Sequence, residues 1–422
     1  MTRRFPVPIA AALGLCVALF LLTAPGRAET PDSADPSADP QGQTTTTVAV
    51  TGTAPAGPPL AILKFGDNTI RFGTVIQATY EGLQDVNTEG YSQNFYLRRA
   101  RFFMLGKLGK KVGEGVQEVE FFFQVDNPRA GYSSPPTGSK NTGSTGFLVQ
   151  DAYGQWAFGC NAIALQAGLW IVPNIRQIHT SVVTFLGLDL PTWGLQQNTM
   201  LQWNGGRDYG VGFNGYLLDD HFSYRMGVFD GQRQASVNQT APLGPAANSR
   251  NSLLYAGRFM FDFFDAEKGY TYQGTYRGTK KVVAIAGVAQ VQGSFEGFGG
   301  DAYVSWPIGP DAITAEGDYM HYSGWGKFYS AVPQQETLFM DAGYFFSAFQ
   351  IEPFARYEFL NYAAPVNKVK EQSRVGGGLN YYAMGQNFKI TPYYERVMPK
   401  VEPTTAKIKD FNRFVVQIQT SL

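Results

Sequence analysis

The fold of this chain is decided by an alternation that is clearest in Ile70-Arg71-Phe72-Gly73-Thr74-Val75-Ile76-Gln77-Ala78-Thr79-Tyr80. Successive side chains of an extended strand point to opposite faces, so the apolar positions of this stretch share one face and Arg71, Gln77 and Thr79 share the other. The same period of two recurs in residues 118–126, 221–228 and 349–359. A pattern of this kind, repeated along a chain, predicts β-strands that are apolar on one side only.

Two architectures fit strands with one apolar face. In a soluble sandwich the apolar face packs in the core and the polar face meets water. In an outer-membrane barrel the apolar face meets lipid and the polar face lines a wet lumen. Strands of about ten residues, a charged face on strand after strand, and Phe and Tyr near the ends of the apolar faces favour the barrel.

Composition supports the same choice. The 422 residues are only 16% charged but 14% aromatic, they include 48 glycines, and the formal net charge is zero. Mean hydropathy is −0.18, which is too polar for a bundle of membrane helices. A neutral chain with few charges gives no indication of a nucleic-acid partner. The only histidines are His179, His221 and His321, far apart in sequence, so no metal or cofactor site is predicted.

The N-terminus predicts export. Arg3 and Arg4 precede an apolar run at 9–22, and a small-residue cleavage site ends at Ala28, so residues 1–28 are predicted to be a cleaved signal peptide. Residues 29–62 are rich in Pro, Asp and Thr and predict a disordered periplasmic tether. Residues 63–422 are the predicted barrel domain. Cys160 would then be the only cysteine of the mature chain, which rules out an intrachain disulfide.

The alternation predicts about sixteen strands, from one near 69–81 to one near 410–421, and therefore an all-β transmembrane antiparallel barrel with an even strand number. The longest irregular stretch between strands is 172–207, which contains Trp193, Leu186 and Leu188 and few charges. A long connection that is too apolar for disorder is expected to pack against the inside of the barrel wall.

Short segments in a consistent order resemble one known family. They are Arg98-Arg99-Ala100-Arg101, Asp151-Ala152-Tyr153, Gln166-Ala167-Gly168-Leu169-Trp170, Gly206-Arg207-Asp208-Tyr209-Gly210-Val211, Tyr224-Arg225-Met226-Gly227-Val228-Phe229-Asp230-Gly231, Ala256-Gly257-Arg258-Phe259, Pro353-Phe354-Ala355-Arg356-Tyr357, Gly378-Leu379-Asn380-Tyr381-Tyr382 and Asn387-Phe388-Lys389-Ile390. In this combination, spread over residues 65–422, the chain resembles the phosphate-selective porins O and P.

The resemblance implies a sixteen-stranded and trimeric outer-membrane channel whose third external loop, here 172–207, folds into the lumen. It also implies passive uptake of small solutes, phosphate or other anions among them, with outer-membrane lipid, lipopolysaccharide and the barrel-assembly machinery as partners. The chain departs from this family in two respects: loop 172–207 has no lysine, and the last residue is Leu422 where such barrels tend to end in an aromatic.

The alternation also assigns charges to the lumen. The candidate anion path consists of Arg71, Arg99, Arg101, Arg176, Arg207, Arg225, Arg258 and Arg356. The predicted pore-lining acids are Glu118, Glu120, Asp126, Glu316, Asp318, Glu352 and Glu358, and the alternation turns Glu81, Asp262, Glu395, Arg374 and Lys389 inward as well. Such a mixed wall predicts a weak anion preference if the arginines cluster, or no preference if they pair with the acids.

Two other functions are alternatives to a porin. His221 and Ser223 share a strand face and resemble a histidine–serine dyad of an outer-membrane hydrolase, but the alternation turns both residues inward, away from lipid. A structural or adhesive barrel with a plugged lumen would require long, repetitive external loops, which the sequence does not contain. The sequence therefore favours a channel without enzyme activity.

Overall fold

The computed structural model describes residues 61–86, 88–108, 116–127, 146–158, 162–191, 205–231, 252–293, 295–323, 334–362, 372–399 and 409–422. The predicted signal peptide, all but the end of the predicted tether, Cys160 and Trp193 lie outside these residues. Within the described ranges no helix is long and apolar enough to cross a membrane.

The chain forms seventeen strands in the described part. They are β1 Ala61–Phe65, β2 Asn68–Gln84, β3 Tyr91–Leu108, β4 Val116–Asp126, β5 Leu148–Phe158, β6 Ile163–Ile171, β7 Arg207–Leu217, β8 Phe222–Phe229, β9 Leu254–Asp262, β10 Val282–Gln292, β11 Phe295–Ile308, β12 Asp311–Ser323, β13 Gln335–Phe345, β14 Ile351–Tyr362, β15 Gln372–Gln386, β16 Phe388–Pro399 and β17 Phe411–Ser421.

Strands β2 to β17 form a closed ring. Each pairs antiparallel with the next along the chain, and β17 returns to β2 with Ser421 opposite Val75 and Arg413 opposite Leu83. The predicted sixteen-stranded antiparallel barrel is thereby confirmed. The short β1 pairs with β2 beyond the end of β17, with Ala61 opposite Phe72, so it extends the line of the last strand. The alternation at 70–80 had not indicated this extra strand.

The outer face of the ring is apolar and uncovered. Many large apolar side chains that point away from the lumen are more than one third exposed. Representatives from five strands are Phe95, Phe102, Tyr209, Phe213, Tyr255, Phe298 and Phe414. An apolar band of this extent on a closed sheet matches the lipid-facing surface of a membrane barrel and not the surface of a soluble protein.

The inner face differs from the polar wall that the alternation predicts. A hydrophobic cluster lies inside the ring, formed by inward side chains of several strands together with residues that follow β6. Its fully buried members include Trp170, Ile171, Val172, Phe229 and Leu254. The expectation of a uniformly wet, polar lumen is therefore corrected. Residues after β6 enter the barrel and give the inward apolar side chains something to pack against.

Trp170 is the largest side chain of this internal cluster. It is 1% exposed, packs against Phe229 with ring centroids 4.7 Å apart and the rings tilted by 48°, and donates its indole N–H to the carbonyl of Gly210 at 3.3 Å. A Cβ atom on Gly212 or Gly227 would lie 2.9 or 3.0 Å from the indole ring. Glycines on β7 and β8 thus create the space that the indole fills.

Replacing Trp170 with Ala should destabilise the barrel by about 3–5 kcal/mol, because the truncation leaves a cavity that rigid strands cannot fill. The urea midpoint of the folded protein in detergent measures this change. Tyr209→Ala removes an aromatic ring that is 58% exposed on the outer face and serves as the control. Equal stabilities for the two variants would show that the internal cluster is not a core.

Candidate functional site inside the barrel

Residues 172–191, named here the lumen loop, lie among inward-facing side chains of the wall. Its backbone carbonyls accept hydrogen bonds from side chains on β2, β15, β16 and β17. These bonds run from Gln77 to Val182 (3.3 Å), Gln419 to Val183 (2.9 Å), Lys389 to Phe185 (2.9 Å) and Asn380 to Leu186 (2.7 Å). Long polar side chains of the wall therefore satisfy backbone groups of an irregular segment that would otherwise be buried unpaired. Residues 192–204 of the predicted loop 172–207 lie outside the described residues.

A single 3₁₀ turn, Arg176–His179, brings the lumen loop against the opposite wall. The backbone N–H of Arg176 donates to Asp301 on β11 at 3.0 Å, and the amide of Gln177 donates to Glu316 on β12 at 2.9 Å. Because the loop contacts β2, β11, β12 and β15–β17, it extends across the interior from one wall to the other.

A second segment also enters the ring. Residues 263–281 connect β9 and β10 and are named here the terminus-side loop, because β9 ends at the same rim as β17 and Leu422. The base of this loop continues the ladder, with Phe263 and Asp265 donating to the carbonyls of Val283 and Lys281 at 2.8 and 2.9 Å. The alternation along the chain gives no indication that this connection enters the barrel.

The middle of the terminus-side loop, residues 267–276, packs inside the barrel. The hydroxyl of Tyr270 donates to Asp151 on β5 at 2.5 Å, and the hydroxyl of Thr275 donates to Glu352 on β14 at 2.9 Å. Glu267 and Tyr272 are 1% and 2% exposed. Strands of an antiparallel ring alternate in direction, so the lumen loop and the terminus-side loop enter from opposite rims.

The eight predicted bases are inside the ring or on the lumen loop, but most are neutralised. Six contact a carboxylate within ion-pair distance. The pairs are Arg99–Asp189, Arg101–Asp126, Arg176–Glu267, Arg207–Asp151, Arg258–Asp301 and Arg356–Asp341. Apart from Arg71, none of the eight side chains is more than 8% exposed. The predicted arginines therefore do not form a ladder of free positive charges.

The two other predicted bases differ from this set. Arg225 donates to the carbonyls of Gly269 and Tyr270 at 2.5 and 2.7 Å, so it holds the terminus-side loop and not an acid. The Nε atom of Arg71 is buried without a hydrogen-bond partner among the described residues. Of the additional inward bases, Arg374 pairs with Glu395 at 3.1 Å.

The predicted acids divide into paired and unpaired groups. Glu118 and Glu120 both contact Lys107, at 2.5 and 2.9 Å, and Asp126 pairs with Arg101. Glu352 accepts from Thr275 and from the hydroxyl of Tyr382, and Glu358 lies 3.8 Å from Arg356.

Glu316 and Asp318 form no ion pair in the described part of the chain, although Glu316 accepts a hydrogen bond from Gln177. Both carboxylate oxygens of Asp318 and one of Glu316 are buried without a hydrogen-bond partner within the described ranges. The acids directly opposite them, Asp301 and Asp341, are already neutralised by Arg258 and Arg356. The interior therefore has an excess of uncompensated acid at β12.

Three inward bases were missed by the sequence analysis. The pairing of β2 with β3 shifts between Gln77 opposite Arg99 and Ala78 opposite Leu97, which makes Arg98 a bulge residue. The bulge turns Arg98 inward beside Arg99, where both contact Asp189. Lys107 and Arg413 also face inward. The buried positions of β3 change phase at the bulge, from 94 and 96 before it to 99 and 101 after it.

Asp189 anchors the end of the lumen loop to β3. Its carboxylate contacts Nε of Arg98 and Nη2 of Arg99, the latter at 2.6 Å. Burial raises the pKa of a carboxyl group, but the two guanidinium groups outweigh burial and hold the pKa of Asp189 well below its usual range. Arg356 also donates to the backbone carbonyl of Asp189 at 2.7 Å.

His179 is a buried neutral imidazole in the lumen loop. It is fully buried, and its Nδ1 atom lies 3.0 Å from Nη1 of Arg225. Burial, followed by the positive charges of Arg225, Arg258 and Arg207, holds the pKa of His179 well below its ordinary value of 6.5. The backbone N–H of Asn174 donates to the other ring nitrogen, Nε2, at 3.2 Å, so both nitrogens are occupied by protein groups and the imidazole does not act as a base toward solvent.

The histidine–serine pair does not form a dyad. Nδ1 of His221 lies 2.7 Å from the backbone carbonyl of Asp262, so this nitrogen contacts the β9 backbone and not the Ser223 hydroxyl. Ser223 is 5% exposed on the inward face of β8. His321 faces outward and pairs with Glu336 at 3.5 Å.

The fold and the charged, loop-filled interior define a closed barrel of the porin type. The chain resembles OmpF of Salmonella typhi, seen in complex with daunomycin, with a TM-score of 0.54, 11% identity, and coverage of 86% of this chain and 100% of that chain. It resembles the outer membrane channel DcaP of Acinetobacter baumannii with a TM-score of 0.53, 13% identity and the same coverages. At these identities the likeness shows the fold.

Sequence comparison identifies one distant relative. An uncharacterized protein of Aquifex aeolicus (strain VF5) is 25% identical over 318 residues, which are 70% of this chain and 74% of that protein. No protein-family model matches the chain. Membership of the phosphate-selective porins O and P stays a prediction.

Replacing Asp189 with Asn should cost about 3–5 kcal/mol of folding free energy, because it leaves two buried guanidinium groups without their shared carboxylate. Urea unfolding in detergent measures the loss. The matched control is Asp410→Asn, which breaks an ion pair with Arg396 whose side chains are 58% and 40% exposed, and should cost less than about 1 kcal/mol. A loss at Asp189 no larger than at Asp410 would contradict the anchoring role.

Acid should destabilise the packed interior through His179. The pKa of His179 is lower in the folded protein than in the unfolded chain, so the unfolded chain binds a proton first as the pH falls. The free energy of unfolding therefore decreases below about pH 6.5, by up to about 1.4 kcal/mol per pH unit. The heat-unfolding midpoint between pH 7.5 and 5 measures this effect. His179→Gln should flatten the dependence and the outward-facing His321→Gln should not. Identical pH profiles for all three proteins would refute the assignment.

Proposed function

We propose that the protein is a porin of the bacterial outer membrane that allows passive diffusion of small hydrophilic solutes and ions. The observation that carries this proposal is the closed ring of sixteen strands with an apolar outer band and a charged interior. Closure pairs every strand edge, which a sheet in lipid requires. A ring of this size encloses an interior wide enough for a solute path.

The wall charges support weak ion selectivity. Selectivity in pores depends on groups of like charge at the narrowest point. Six of the eight predicted bases are paired with acids. The electric fields of the two charges in each pair therefore largely cancel at the position of a passing solute. We therefore expect passage of small anions, phosphate included, without a tight phosphate site. Homotrimer formation and contact with lipopolysaccharide and the barrel-assembly machinery remain predictions of the family resemblance.

Purified protein in planar lipid bilayers tests the function. Discrete current steps in potassium chloride are expected from protein that resists SDS until it is heated. Addition of millimolar phosphate should leave the chloride current nearly unchanged. Strong, saturable phosphate block would show that the interior holds a specific site, and esterase activity without any current would favour the hydrolase.

The pair Arg101–Asp126 offers a matched test of selectivity. Arg101→Gln leaves the carboxylate of Asp126 uncompensated and should shift the reversal potential in asymmetric potassium chloride toward potassium. Asp126→Asn leaves the guanidinium group uncompensated and should shift it toward chloride. Because the pair is buried, each variant is first checked for the heat-dependent gel shift of a folded barrel. Two shifts of the same sign would show that these residues do not line the path.

A further inference from the structure

Arg176 is the contact at which the two inserted loops meet. Its guanidinium group binds the Glu267 carboxylate with both terminal nitrogens, Nη2 at 2.6 Å, and Nη2 also donates to the carbonyl of Gln273 at 2.8 Å. Both charged side chains are 0% exposed. Burial alone lowers the pKa of an arginine, but the Glu267 carboxylate outweighs it and raises the pKa of Arg176 well above its ordinary value.

Aromatic rings complete the surroundings of this ion pair. The guanidinium carbon of Arg176 lies 3.5 Å from the ring centroid of Tyr303 and 5.0 Å from that of Tyr272. The hydroxyl of Tyr276 donates to the Glu267 carboxylate at 2.6 Å. Because neither charged side chain is accessible to solvent, separating the two charges costs free energy unless both become hydrated.

Backbone contacts join the same two segments. Thr180 and Tyr272 form a parallel β-bridge, in which Tyr272 donates to the carbonyl of His179 at 2.8 Å and Ser181 donates to that of Tyr272 at 2.9 Å. Gly274 donates to the hydroxyl of Thr184 at 2.9 Å. The loops that enter from opposite rims therefore form one continuous hydrogen-bonded barrier within the ring.

We propose that residues 267–276 are a gate at the terminus-side rim, latched shut against the lumen loop by the Arg176–Glu267 ion pair. The inference rests on the proposed porin function and adds a second, movable barrier to it. Solutes pass when 267–276 withdraws toward its own rim and Glu267 separates from Arg176. The lumen loop remains in place as the fixed constriction.

The anchoring of the two loops identifies which one moves. The lumen loop is bound to the wall by side chains of β2, β3, β10, β12, β14, β15, β16 and β17. Residues 267–276 are also bonded to the wall, at β5, β7, β8, β11, β12 and β14, but through polar groups. The lumen loop in addition places Val172, Ile175, Ile178, Leu186 and Leu188 in buried hydrophobic clusters, to which 267–276 contribute Tyr272. At the rim the adjoining Lys268–Asp220 pair is only partly buried, with side chains 39% and 33% exposed. A segment with fewer buried apolar contacts opens at lower free-energy cost.

A reversible cross-link tests the gate in the full-length protein. Thr180→Cys and Tyr272→Cys, introduced together with Cys160→Ser, place cysteines on bridge partners, whose separation of roughly 4.7–4.9 Å permits a disulfide. The oxidised protein should carry no current in planar bilayers, and reducing agent should restore it. Gel mobility after proteolysis between the two positions reports whether the cross-link has formed.

A second variant tests the latch without a cross-link. Glu267→Gln keeps the shape of the side chain but removes its charge, and should raise the open probability at least roughly tenfold, since one buried charge then lacks its partner. Glu89→Gln makes the same change of side chain outside the gate, in an exposed ion pair with Lys409, and should leave the open probability unchanged. The heat-dependent gel shift establishes that each variant is folded.

The outcomes separate the gate from the porin function. Wild-type current that neither Glu267→Gln nor the verified cross-link alters would overturn the gate and leave the porin function intact. Failure of the two cysteines to cross-link would overturn the contact on which the gate rests. A lack of current from folded wild type, Glu267→Gln and the reduced double-cysteine protein would overturn both proposals.

Discussion

The backbone hydrogen bonds between β17 and β2 close the sheet, and the rest of the structure depends on that closure. An open sheet in lipid would leave a row of N–H and C=O groups unpaired at each edge, at a cost of several kcal/mol for each group. With Ser421 opposite Val75 and Leu422 bonded to Thr74, every one of the sixteen strands has two neighbours. One face of each strand is then forced outward toward lipid and the other toward the interior.

Closure places many charges inside, and the interior is organised around neutralising them. The ion pair Arg258–Asp301 links β9 with β11, and Arg356–Asp341 links β14 with β13, whereas Arg99–Asp189 and Arg176–Glu267 fix loops. A buried charge without a partner is strongly destabilising, so each loop that enters must supply acids or carbonyls to the arginines it covers. The charges that resemble an anion ladder in the sequence thus have a structural role as well.

The two inserted loops give the barrel an interior core that a simple channel lacks. Apolar side chains around Trp170 and Ile175 pack as in a soluble domain, although they lie within a ring whose outside is also apolar. Such packing holds the lumen loop rigid, which suits a constriction. The terminus-side loop is held mainly by polar contacts, the Arg176–Glu267 ion pair among them, which suits a part that moves.

The sequence alone determined the strands, their inward and outward faces and the sixteen-stranded ring, because a period of two is a local property of residues such as those at 70–80. It placed Arg99, Arg101 and Arg356 inside for the same reason. It could not show that Arg98 turns inward, because a bulge depends on the register of the neighbouring strand. Nor could it pair Arg176 with Glu267, or bring 267–276 against the lumen loop from the opposite rim. Such contacts join residues far apart in sequence, and only the closure of the ring brings them together.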